Sequence, residues 1–235
     1  MIATIKLKLK WMFNHFKHHL GIKSHLKQRA GEVVTLCFHG ICKDNESFIN
    51  GRFIHYSSCL ALFQEINNHF NVISLEDLLD NNLSTAKLNV LITFDDGYYN
   101  NKIYIPQLIQ TVDLPITIFI TSKSTYLWTD LLDVLSAKKQ AISNVYKILG
   151  LSNKLSNSQL KKHIISLNPD DIETITEELY LLVKQQTPVT NENWWRLMSN
   201  QELLELNKKP QISLANHGGN HYDLTKLSNE FLIKE

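Results

Sequence analysis

The 235-residue sequence predicts a parallel α/β fold carrying a helical insertion. Three observations point there. Short apolar runs such as "VVTLCFHGI" (33 to 41), "NVLITF" (89 to 94) and "LPITIFITS" (114 to 122) alternate with stretches of helical periodicity. "NVLITF" is apolar on both faces, as a strand buried on both sides of a parallel sheet must be. After Ser122, about 70 residues offer helical patterns and no strand candidate.

In chain order, residues 33 to 41 predict a buried strand, and "SSCLALFQEINNHF" (57 to 70) a helix opened by Ser57 or Ser58. "NVISLEDLLDNN" predicts a short strand and a helical turn. "NVLITF" is the central strand, followed by a helix from Tyr98 to about Val112. "LPITIFITS" is the next strand, entered by Pro115. The insertion then runs through "YLWTDLLDVLSAKKQAISNVYKILG", "NSQLKKHIISL" and "PDDIETITEELYLLVKQQ". Pro169 suits a first helical turn, and Asp170 and Asp171 suit the positive end of the helix dipole. Ser199 and Glu202 have capping-box spacing. "PQISLAN" (210 to 216) predicts the last strand, and "LTKLSNEFLIKE" a closing helix.

Charge is unevenly spread. Residues 1 to 30 hold seven Lys/Arg and no acid, leaving 17 basic against 23 acidic residues in the remainder. The body is net acidic, which argues against a nucleic-acid surface. The leader mixes Lys6, Lys8, Lys10 and Lys17 with Leu7, Leu9, Trp11 and Phe13. Lysines interrupt any signal-peptide core, and no run reaches the ~18 apolar residues of a spanning helix. Two readings stay open: a basic amphipathic segment in peripheral contact with an anionic membrane face, or a helix packed on the domain. Cys37, Cys42 and Cys59 form no C-x-x-C pair, which fits a reducing compartment rather than a disulfide framework. The chain is expected in the cytoplasm, at the inner membrane face if the leader binds lipid.

The chemistry concentrates at two strand ends. "LITFDDGYYN" runs a strand into Asp95, Asp96 and Gly97. In parallel α/β folds the working polar groups gather at the carboxyl ends of strands. One Asp could simply cap the following helix; alternatively the carboxylates divide cation binding and proton transfer between them. "SLANHGGNHYDL" (213 to 224) favours the second reading, since His217 and His221 also follow a strand. Gly218 and Gly219 disfavour a helix there, each costing about 1 kcal/mol, so a loop must wrap both imidazoles around one ion. One Asp and two neutral His leave a coordination position for water, as a hydrolytic metal site needs.

"TFDDGY", "LPITIFITS" and "NHGGNHYDLTKLS" together resemble the polysaccharide deacetylases of carbohydrate esterase family four. Pro115, Thr117 and Phe119 match that family's second conserved strand, and the resemblance spans about Val33 to Ser228. It implies a partial (β/α) barrel at 31–235, with a helical insertion at about 127–197 and the basic segment 1–30 ahead of it. It also implies Asp95 as general base, with Asp96, His217 and His221 as ligands of a divalent metal, zinc by donor type. "CFHGI" resembles the first barrel strand and places His39 near the substrate cleft; a packed strand-end histidine is the alternative. Trp128 and Asp130 resemble the start of an insertion found in some members, with Trp128 either in the cleft or in the core.

The sequence departs from the family in two places. Gly218 stands where the family has Ser or Thr. Only 14 residues follow His221, without the family's Arg-containing motif or its late general-acid histidine. The last barrel strands are therefore expected to be missing, activity impaired, and the open sheet edge exposed to pairing with a second chain. The expected activity is metal-dependent removal of acetyl groups from an N-acetylated glycan. The alternatives are a non-catalytic metal- or carbohydrate-binding remnant, and a magnesium phosphoryl-transfer enzyme that would leave both histidines idle.

Overall fold

The computed structural model describes residues 29–43, 51–122, 125–137, 141–152, 155–186 and 195–235. The basic leader, apart from Arg29 and Ala30, lies outside them. Seven strands form two sheets among these residues: β1 (Val33–Phe38), β2 (Ile41–Cys42), β3 (Ile54–His55), β4 (Asn71–Ile73), β5 (Asn89–Phe94), β6 (Ile116–Ile120) and β7 (Ile212–Asn216). Strands β2 and β3 pair with each other. The main sheet runs β1-β5-β6-β7 with β4 also on β5, and every pairing is parallel.

All six residues of β5 are buried. Strand β1 covers one edge of β5 from Asn89 to Phe94. The other edge is divided, with β4 along Asn89 to Leu91 and β6 at Thr93 and Phe94. The two faces differ because side chains alternate along a strand. Val34, Leu36, Phe38, Val90, Ile92, Phe94, Ile116, Ile118, Ile212 and Leu214 join one core. Against them pack α1 (Tyr56–His69), through Cys59, Phe63 and Ile66, and α3 (Tyr99–Val112), through Tyr104, Ile105, Leu108 and Ile109. The opposite face carries Cys37, Thr93, Thr117 and Ser213 in one register. Helices on one face and small polar side chains on the other describe a barrel wall rather than a doubly wound sheet. The fold is a partial (β/α) barrel, with β1 and β7 at the sheet's two edges among the described residues.

Four helices follow β6: α4 (Trp128–Ser136), α5 (Ile142–Ile148), α6 (Asn157–Ile164) and α7 (Pro169–Gln186). They share a core of their own, built on Leu131, Leu135, Val145, Leu160, Ile164, Leu179 and Val183. Pro169 opens α7, and the Asn168 carboxamide caps it by accepting from the Asp171 amide at 2.9 Å. Capping boxes start α2 (Leu75–Leu79), α6 and α8 (Asn200–Leu206), the last formed by Ser199 and Glu202.

Local expectations differ from the structure at three points. Helix α1 begins at Tyr56 with His55 as N-cap, and no side chain caps it, so Ser57 and Ser58 lie inside the helix. Strand β1 is shorter than 33 to 41 and only half buried, with Thr35 and Cys37 exposed on the face opposite the helices. The closing helix is broken into a 3₁₀ turn (Leu224–Lys226) and α9 (Asn229–Lys234), since Asp223 and Ser228 each cap a separate start. No helix of the described residues is long and apolar enough to cross a membrane.

Candidate metal centre

The site begins with a backbone turn. The Asp95 amide donates to the Phe38 carbonyl at 2.9 Å, prolonging the β1/β5 ladder by one residue. Asp96 and Gly97 then both take left-handed conformations, with φ of 72° and 79°. Such a conformation is uncommon for a residue with a Cβ and marks a place the fold holds under constraint. The turn is locked by the Thr121 amide on the Asp96 carbonyl and the Met198 amide on the Gly97 carbonyl. Helix α3 starts after Tyr98, which provides no side-chain cap, so neither aspartate caps this helix.

The second element is the loop after β7. The His217 amide donates to the Ile120 carbonyl at 2.8 Å, and the Ser122 amide to the Gly218 carbonyl at 3.0 Å, tying the loop to the end of β6. Gly218 has φ of 91°, and a Cβ there would meet a Glu235 carboxylate oxygen at 3.1 Å. A serine or threonine therefore fits badly here. Glu235 itself accepts from the Asn220 amide at 2.8 and 2.9 Å and from the Tyr222 amide at 3.4 Å, bracing the turn on which His221 stands at φ of 62°.

These two elements bring Asp96, His217 and His221 together, each offering one ligand atom within 4.8 Å of the others. Asp96 Oδ1 lies 3.6 Å from His217 Nε2 and 3.2 Å from His221 Nε2. Asp96 is fully buried, and neither of its oxygens has a hydrogen-bond partner that meets normal geometry. A buried carboxylate left this way is costly unless a cation completes it. Asp96 and Asp130 both lie within ion-pair range of the Arg52 guanidinium. Two nitrogens and a carboxylate oxygen suit zinc and neighbouring transition metals. The residues present fit a divalent metal.

The electrostatics of the site agree. Burial pushes the Asp96 carboxyl up, but the His221 contact and the Arg52 charge outweigh it and hold it below the usual carboxylate range. The Asp96 contact raises the His221 imidazole against the opposing effect of burial.

Asp95 is half-buried and accepts from the Cys37 thiol, Sγ to Oδ2 at 3.0 Å. Burial first, and then Asp95, push that thiol up to about 11, which keeps it a donor at neutral pH. His39 feels Asp96, Arg52, Asp95 and His217, and burial lowers its pKa. Trp128 is largely buried in the insertion core, yet it lines a cavity of about 630 Å³ together with His221, Tyr222 and Lys162. Sequence reasoning missed Arg52 and Cys37. A lone arginine in "NGRFIH" and a cysteine inside an apolar strand carry no pattern that points to a site.

No protein-family profile matches the chain, and no curated protein matches it in sequence. Solved structures do match. A de-N-acetylase from Aggregatibacter actinomycetemcomitans aligns over 79% of this chain and 54% of its own, at 16% identity and a TM-score of 0.43. A polysaccharide deacetylase from Bacillus cereus aligns over 84% and 42%, at 14% identity and 0.45. A Streptococcus pyogenes deacetylase in complex with acetate aligns over 88% and 65%, at 16% identity and 0.44. All three are deacetylases. The chain spans between two fifths and two thirds of their lengths.

Proposed function

We propose that this chain is a divalent-metal-dependent hydrolase that removes acetyl groups from N-acetylated sugars of a glycan. The observation that carries the reading is the convergence of Asp96, His217 and His221 with a second carboxylate, Asp95, one residue away. Asp96, His217 and His221 would hold the ion. When bound, such an ion lowers the pKa of coordinated water from 15.7 towards about 7 and polarises a carbonyl oxygen.

The chain's own groups do the rest. Asp95 takes the proton of the attacking water, and the Cys37 thiol fixes one of its oxygens so that the other is free to act. Burial favours the neutral form of His39, which suits it to accept rather than donate a proton at neutral pH. Asp95, having taken the water's proton, can return it to the leaving amine. The cavity beside His221 lies within the size range of small-ligand sites and offers a place for the sugar.

The test is acetate release from a panel of N- and O-acetylated oligosaccharides with zinc, cobalt, nickel or iron added. Release that depends on metal and disappears in Asp95→Asn supports the reading. Metal uptake without release from any member of the panel favours a binding protein instead.

A further inference from the structure

The two oxygens of Asp96 have different surroundings. Oδ1 faces the two imidazoles. Oδ2 lies 3.6 Å from Arg52 Nη1, which is ion-pair range but too long for a hydrogen bond. Arg52 does not approach Asp96 alone. Its Nη2 is bonded to Asp130 Oδ1, and Asp130 Oδ2 accepts from the Tyr98 hydroxyl at 2.7 Å. Tyr98 and Asp130 are almost completely buried, and the Arg52 side chain is 29% exposed. Arg52 also lies over the Tyr98 ring, 5.9 Å from its centroid.

This arrangement joins three separate parts of the chain. Arg52 comes from the segment before β3, Tyr98 from the turn after the aspartate pair, and Asp130 from the first turn of α4 in the helical insertion. A guanidinium free to move would settle fully on Asp96 and compete with a cation for both oxygens. Held by Asp130 on one side, it reaches only Oδ2, and at a distance that leaves Oδ1 open to the imidazoles' ion. Asp130, buried with its two oxygens bonded to Arg52 and Tyr98, is costly to keep unless those partners are in place, so the insertion must be docked for the arrangement to exist.

We propose that Arg52, anchored by Asp130, is a positioning residue that reserves Asp96 Oδ1 for the metal, making the helical insertion a determinant of metal affinity. This rests on the metal reading of the site. Groups that orient a ligand from behind typically cost 10-fold to 100-fold in affinity when removed, and that is the loss expected here.

The experiment measures zinc affinity of the full chain by competition with a chromophoric chelator, for wild type, Asp130→Asn, Arg52→Lys and Tyr98→Phe. It is accompanied by thermal unfolding and by the visible spectrum of the cobalt-loaded protein. Asp130→Asn and Arg52→Lys should weaken zinc about 10-fold to 100-fold, and Tyr98→Phe less, with the cobalt bands altered because the coordination of Asp96 changes. If Asp130→Asn does not fold, Arg52→Lys and Tyr98→Phe carry the test, since each keeps most of the packing. Unchanged zinc affinity and cobalt spectrum in folded variants overturn the inference while leaving the metal site standing. A wild type that takes up no divalent ion overturns the metal reading and this inference together.

Discussion

The sheet and the helical insertion solve the same burial problem differently. The sheet hides β5 on both faces and gathers its core from strands and helices far apart in sequence. The insertion builds a separate core from four consecutive helices, with mostly local contacts. Among the described residues the candidate ligands Asp96, His217 and His221 all follow sheet strands, because the strands' carboxyl ends are the points where distant segments come side by side. The insertion reaches the site through one buried carboxylate, Asp130, and through the cavity wall at Trp128. A self-contained helical unit can therefore sit beside a strand-built site and adjust it without supplying a ligand.

The largest effect that would sharpen this contrast is the loss of a sheet-borne ligand. His221→Ala should abolish zinc uptake measured by elemental analysis after dialysis, while zinc content equal to wild type breaks the assignment. Core truncations come next. Ile92→Ala in the sheet and Leu131→Ala in the insertion remove side chains that are completely buried, and each should cost about 2 to 5 kcal/mol. If the two cores are separable, chemical denaturation of Leu131→Ala will show an early transition for the insertion ahead of the sheet, with zinc binding weakened but present. A single transition displaced equally in both variants breaks the idea of two cores.

A smaller effect tests the ligand loop. Gly218→Ser puts a side chain at φ of 91° against Glu235 and should cost about 1 to 3 kcal/mol, read as a lower thermal midpoint and weaker zinc binding. No change would mean that the loop relaxes freely. The smallest effect concerns α8, which leads back from the insertion to the sheet. Ser199→Ala should cost about 1 kcal/mol through loss of the cap. Its partner Glu202 is held down to about 2 by Arg196, against burial and with help from Ser199. Because the folded pKa lies below the unfolded one, the stability it contributes is present above about pH 4.5 and is lost as pH falls towards 2. Acid titration of Glu202→Gln should lack that part of the loss.

Much of this was legible in the residues. Alternating apolar runs and helical periods identified five of the strands and the insertion, because burial on two faces and on one face leave different spacings. Capping boxes at Ser199 and Pro169 at a helix start could be read because they are set by neighbours within one turn. The aspartate pair and the two glycine-flanked histidines stood out as ligand types at strand ends. Ser57 and Ser58 misled, since packing of Tyr56 against the core starts α1 earlier than a cap would.

By itself, then, the sequence determined which segments become strands and helices and which side chains have the chemistry to hold a cation, since those properties depend on residue type and short-range spacing. Tertiary structure alone decided that Asp96 turns inward at positive φ, that Arg52 and Asp130 stand behind it, that Cys37 holds Asp95, and that Glu235 occupies the space a Gly218 side chain would need. Those pairings join residues far apart along the chain. Their energies depend on burial and distance in three dimensions, which no local pattern encodes.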